Sequence, residues 1–158
     1  MEDEKQREAH NAGILFRKQD QSVLNVDVDV LRQCWETNCV GAFLVTRAFL
    51  PLLRKSQSAQ IINVSSEIGR LYPDHHQTPA YGISKTGLNA VTKWFATACK
   101  SDHIQVNAIC PGWVQSDMGG SQAPRSRENG AAQIVEIATN LPRDITGKFI
   151  EDGRILRW

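Results

Sequence analysis

Two short apolar runs, QIINV at 60–64 and IQVNAI at 104–109, constrain this chain more than any other feature. Each is too short for a typical helix, and apolar side chains fall on both alternating positions. That is the pattern of a strand covered on both faces, as in a parallel sheet between layers of helix.

Helical patterns separate the runs. Before the first, Leu31, Cys34, Asn38, Ala42, Val45, Phe49 and Leu52 recur at spacings of three and four and draw one stripe down a helix. Pro51 and the polar RKSQSAQ end it. Between the runs lie a loop, EIGRLYPDHHQTP, and a second helix, AYGISKTGLNAVTKWFATACK. After the second run come an irregular loop, WVQSDMGGSQAPRSR, a shorter helix, ENGAAQIVEIAT, and a closing strand and tail, GKFIEDGRILRW. This alternation predicts a layered α/β domain whose parallel sheet has about three strands flanked by helices.

The 158 residues suffice for one such domain. A net charge of +1 gives no electrostatic case for nucleic acid or an anionic membrane as a partner. No apolar run approaches bilayer-spanning length, and the acidic start is not a signal peptide. Cys34, Cys39, Cys99 and Cys110 form no C-x-x-C pair and are flanked by core-like residues. They read as buried free thiols of a reducing compartment, the cytoplasm.

Four polar features fall where a parallel sheet holds its ligands, at the carboxyl ends of its strands. Ser65 and Ser66 end the first run, Pro111 and Gly112 end the second, and Tyr81 and Lys85 stand four apart at the start of the second helix. Asn38 interrupts the apolar stripe of the first helix. A phenol is a poor acid or base at neutral pH, but a nearby ammonium favours its anion. A serine hydroxyl aimed at the same spot polarises a carbonyl oxygen. Together they suit proton transfer to or from the oxygen of a carbonyl/alcohol pair, with the hydride borrowed from a nicotinamide. Singly, each has a plainer reading: a solvated helix face, a turn cap, and a core amide bonded to backbone. Their order and placement favour the site.

In that order the chain resembles the short-chain dehydrogenase/reductases from Asn11 to its C-terminus. The resemblance rests on NAG at 11–13, Asn38 within ETNCVGAF, INVSS, AYGISK and VNAICPGWVQSDM, and the last of these points to the carbonyl-reductase branch. It implies Tyr81 as acid/base, Lys85 lowering the pKa of Tyr81 and holding the nicotinamide ribose, and Ser66 orienting the substrate carbonyl. Asn38 would hold a water that continues a proton relay from Lys85. Asn11, Ala12 and Gly13 would contact the adenosine side of the cofactor, NADP or NAD. Pro111, Gly112, Val114 and Ser116 would border the nicotinamide, with Val114 offering backbone groups to its carboxamide. Ser116 stands where the family often has threonine. Ser66 and Tyr81 are 15 apart, slightly more than usual, which predicts a bulge of LYPDHHQTP at the pocket rim. His75 and His76 suggest a metal, but no partner ligands accompany them, and they read as lining the substrate mouth or facing solvent.

The opening MEDEKQREAH carries six charges where the family has an apolar strand, and no G-x-x-x-G-x-G occurs among the 158 residues. The expectation is one partial domain, with a polar start over 1–10 that is no strand and a family-like part over 11–158. That part would be the C-terminal portion of a Rossmann-type three-layer fold. The strand at 61–64 would then be an unprotected edge, and the fold marginal unless a partner covers it. Two functions follow. One is an NAD(P)-dependent oxidoreductase interconverting a small-molecule carbonyl and an alcohol; the other is a catalytically silent fragment acting through protein contacts. A hydrolase built on Ser66 would need a nucleophile elbow and a histidine–acid pair that are not evident. A second stripe, Ile83, Gly87, Ala90, Trp94 and Ala98, fits a homo-oligomer or packing within the domain equally.

Overall fold

In the computed structural model, which describes residues 7–71 and 77–158, the two apolar runs form β2 (Gln60–Val64) and β3 (Gln105–Ile109). They pair in parallel from Gln60 opposite Gln105 to Val64 opposite Ile109, and every residue of both is buried. Alternation sends Ile61 and Val106 to one face, where Leu53, Phe95 and Ala96 cover them. Ile62 and Ile109 go to the other, against Ile137. The sheet therefore lies between α2 (Gly41–Leu53) and α3 (Pro79–Ala98) on one side and α4 (Arg127–Asn140) on the other, three layers as the alternation predicts. The four cysteines are buried free thiols, as expected.

The sheet has five strands among the described residues, ordered β1-β2-β3-β4-β5, rather than about three. The polar start is the first correction. Arg7–His10 is strand β1, parallel to β2 with Arg7 opposite Gln60 and His10 opposite Asn63, so β2 is not an edge. A strand at a sheet edge needs backbone pairing on one side and burial on one face only, and REAH supplies both. Glu8 and His10 turn inward, and the His10 ring nitrogen meets the Thr46 hydroxyl of α2 at 3.0 Å, while Arg7 and Ala9 face solvent. At the far edge, β4 (Phe149–Glu151) and β5 (Arg154–Leu156) form an antiparallel hairpin where a single strand and tail were expected. Its turn is Asp152-Gly153, both with positive φ (48° and 70°), the D-G signature of a two-residue hairpin turn.

The first helical stripe is the third correction. It is not one helix but α1 (Val28–Trp35), a π-helical turn (Glu36–Val40) and α2. The wide turn advances the buried face by one residue, so Thr46 and Leu53 are buried while Val45, Phe49 and Leu52, expected in the core, are exposed.

Candidate active site

Lys85 and Tyr81 are one turn apart on α3 and both buried, against the solvated-face alternative. The Lys85 ammonium donates to the carbonyl of Val64, the last residue of β2, at 2.9 Å. Its Nζ lies 5.6 Å from the centre of the Tyr81 ring, within range of a cation–π attraction. Burial dominates both titrations. It pushes the Tyr81 phenol up to about 12, with the nearby Ser66 hydroxyl pulling the other way. It pushes the Lys85 ammonium down to about 8. The lysine thus stands beside the phenol, but desolvation outweighs any lowering of the phenol pKa here.

Ser66 sits just past β2 and caps the short 3-10 turn Glu67–Gly69 by accepting from the Ile68 N–H at 3.3 Å. Its neighbour Ser65 points away and donates to Asn89 Oδ1 at 2.6 Å. Asn38 lies in the π-helical turn and is 1% exposed. Its Oδ1 accepts from the Ile14 N–H at 2.8 Å, and its Nδ2 donates to the Ile14 carbonyl at 3.0 Å and to Ser84 Oγ at 2.9 Å. Both amide hydrogens are therefore spent on holding the NAG segment and α3. Gly13 follows from this. A Cβ there would stand 3.5 Å from Asn38 Oδ1 and 3.5 Å from Lys85 Nζ, so the NAG turn passes directly over the lysine. Asn11 and Ala12 are exposed beside it.

Pro111, Gly112, Val114 and Ser116 leave the end of β3 half-buried. The backbone of Val114 bridges Arg125 in parallel, with Gln115 N donating to Arg125 O and Arg125 N to Trp113 O. In such a bridge the N–H of Val114 itself points the opposite way. Gly112 has φ of 75°, and a Cβ there would meet the Arg125 guanidinium at 3.1 Å. Ser116 Oγ accepts from Gly119 N at 3.0 Å. Behind this segment the Cys110 thiol donates to Glu151 Oε1 at 3.2 Å and accepts from Gly112 N at 3.4 Å. Burial, then Glu151, pushes it up to about 12, so it stays a thiol and no nucleophile.

Two residues of this region escaped the sequence reading. Arg125 donates to the Pro111 carbonyl at 2.9 Å and pairs with Asp152 at 2.9 Å, bracing the turn after β3. Asp20, within a stretch that reads as polar connector, is fully buried, and its carboxylate accepts the Ala80 and Tyr81 N–H groups at 2.8 and 2.9 Å. No local signal marks either, because both partners are distant in sequence. In the stripe of Ile83, Gly87, Ala90, Trp94 and Ala98, a Cβ on Gly87 would meet the Trp35 ring at 2.5 Å, whereas the other four face solvent. His75 and His76, and with them residues 72–76 of LYPDHHQTP, lie outside the described residues. Among the described residues no group of three His, Cys, Asp or Glu could hold a metal ion, and no helix is long and apolar enough to cross a membrane.

A family model for short chain dehydrogenases matches residues 9–127. The chain is 31% identical to the short-chain dehydrogenase anuI of Penicillium roqueforti, covering 93% of itself and 62% of that protein. It is 28% identical to carbonyl reductase (NADPH) 1 of Bos taurus, covering 94% of itself and 68% of that protein. Among solved structures, carbonyl reductase Sniffer of D. melanogaster superposes with a TM-score of 0.90 at 32% identity, over 96% of this chain and 66% of that one. An NADPH-bound carbonyl reductase from chicken fatty liver superposes with a TM-score of 0.85 at 27% identity, over 95% of this chain and 64% of that one. The chain thus spans about two thirds of the length of these relatives. On the family model, the 32% identity and the shared three-layer sheet, this chain belongs to the short-chain dehydrogenase family, on its carbonyl-reductase-like side.

Proposed function

We propose that this chain acts as one domain of an NAD(P)-dependent oxidoreductase that interconverts a small-molecule carbonyl and its alcohol. The observation that carries this is the joint burial of Tyr81 and Lys85 where α3 passes the end of β2, with Ser66 near enough to favour the phenolate. In the reductive direction Tyr81, kept protonated by its burial, is the acid that donates to the carbonyl oxygen, and Ser66 donates a second hydrogen bond to that oxygen. Lys85, at about 8, is acidic enough to return a proton to the phenolate, and the Val64 carbonyl fixes where its Nζ stands. Because both amide hydrogens of Asn38 are committed, a relay water would be held there by an acceptor. The nicotinamide supplies the hydride when bound. The residues fit its nicotinamide end: Gly13 puts no side chain between the NAG turn and Lys85 Nζ, and the Val114 N–H points away from Arg125 beside Pro111, Gly112 and Ser116. Asn11, Ala12 and Gly13 would line the adenosine side.

A second reading has its own observation, the lack of a G-x-x-x-G-x-G turn among these residues, which in this fold would cradle a pyrophosphate. Under it the 158-residue chain is catalytically silent and acts through protein contacts. Calorimetry of the purified chain with NADPH and NADH separates the two. Binding of either, with aldehyde reduction that Tyr81→Phe removes, supports the oxidoreductase. A folded chain that binds neither supports the silent reading.

A further inference from the structure

We infer that Asp20 is a positioning residue for Tyr81, fixing the first turn of the helix that carries the phenol; this rests on the proton-transfer role proposed above. Helix α3 has no cap of its own. Thr78, at the capping position, is in the left-handed region (φ 53°), and its hydroxyl donates to the Gln77 carbonyl at 2.8 Å instead of accepting from the helix. Pro79 has no N–H, and the first bond back to the start of the helix is Gly82 N to Thr78 O at 2.8 Å. That leaves the N–H groups of Ala80 and Tyr81 as the free donors of the first turn. Asp20 takes both, one on each carboxylate oxygen.

The bidentate grip sets the rotation of that turn as well as its position. Tyr81 is only the third residue of α3, in the turn where a helix frays by default. Asp20 is itself fixed. The N–H groups of Gln19 and Asp20 both donate to the Phe16 carbonyl at 2.9 Å, and two residues earlier Ile14 is clamped on both backbone groups by the Asn38 amide. Residues 14–20 therefore form a strap with one end on Asn38 and the other on the backbone of Tyr81. A carboxylate that is 0% exposed has no role at the surface, and every polar atom it presents is spent on this helix start.

The test begins with the wild-type chain. By ¹⁵N NMR the Ala80 and Tyr81 amide protons should be shifted downfield and exchange slowly, although no residue of α3 accepts them. Free exchange at both overturns the inference. Turnover is then measured with NADPH and an aromatic aldehyde in Asp20→Ala and in Asp20→Asn, which keeps one acceptor. For a misaimed reacting group, kcat should fall on the order of 100-fold in Asp20→Ala and about 10-fold in Asp20→Asn, with KM and NADPH affinity within about twofold. An unchanged kcat in folded Asp20→Ala, or a loss that merely follows the unfolded fraction, also overturns it. If neither variant folds, the wild-type amides decide. If the wild type does not reduce the aldehyde, or Tyr81→Phe leaves turnover intact, the function proposed above fails while the amides still report on Asp20.

Discussion

Of the three N–H bonds of the Lys85 ammonium, one meets the Val64 carbonyl in a residue 4% exposed, and that burial moves the group from 10.5 to about 8. Below pH 8 the lysine is charged in both folded and unfolded chains, and the full cost of burying it is present. Between pH 8 and 10.5 the unfolded chain holds a proton that the folded chain has released, so stability rises with pH. The gain across that window is on the order of 3 kcal/mol. Urea unfolding at pH 7 and pH 10 should show it as a gain of the wild type over Lys85→Met, because the buried thiols and Tyr81, whose raised pKa values lower stability over the same range, are common to both chains. The variant should be the more stable of the two at pH 7 and should lose carbonyl reduction. A wild type whose stability does not gain on the variant over this range would contradict the assignment. Sequence spacing placed Tyr81 and Lys85 on one face but left that face equally compatible with solvent, since burial depends on what β2 and the NAG turn bring over it. Asp20 was less legible still, because its bonds to α3 span 60 and 61 positions.

At the level of elements, a close crossing holds the site together, and glycine marks it. A Cβ on Gly69 would stand 2.6 Å from Lys85 Cβ and 2.7 Å from its backbone carbonyl carbon, so the 3-10 turn capped by Ser66 lies directly on α3. Gly69→Ala therefore has to move the turn bearing Ser66 away from the helix bearing Lys85. We expect it to lower unfolding free energy by about 1–3 kcal/mol and to cut reduction further than the folded fraction explains. Gly82→Ala is the milder comparison at the same turn, because its Cβ would press on the Ile68 Cγ2 methyl at 3.1 Å and lie at ordinary contact, 3.4 Å, from the Ile68 carbonyl, and it should cost less than about 1.5 kcal/mol. Equal losses in denaturant midpoint and turnover for the two variants would refute the crossing argument. Element type and order were readable from apolar periodicity, as β2, β3, α3 and α4 show. The phase of α2 was not, because the π-helical turn adds a residue that no propensity signals, and so Val45, Phe49 and Leu52 turned outward.

Across the whole molecule, the sheet ends in short strands, the polar β1 at one edge and β5 at the other. The strand identity of Arg7–His10 was hidden because reading a strand from sequence relies on apolar residues, while an edge strand is held by its backbone ladder and needs few of them. The D-G turn before β5 was legible by its glycine and was missed by treating the tail as one strand. Glu8 gives the edge a particular character. Its side chain is 11% exposed and turned inward, both carboxylate oxygens are buried without a hydrogen-bond partner among the described residues, and the nearest cation-forming group is His10 Nε2 at 3.6 Å. An inward-pointing charge weakens the strand that carries it, yet it also keeps the open edge from recruiting another chain. Glu8→Leu should separate these effects. Removing a buried carboxylate that has no hydrogen-bond partner among the described residues should raise unfolding free energy by about 1–3 kcal/mol, seen as a higher urea midpoint. The same variant should sediment with a larger average mass as its concentration rises, because its edge no longer resists strand addition. A lower midpoint would mean that the carboxylate is paired in solution. A higher midpoint without association would mean that the inward charge costs stability and protects nothing.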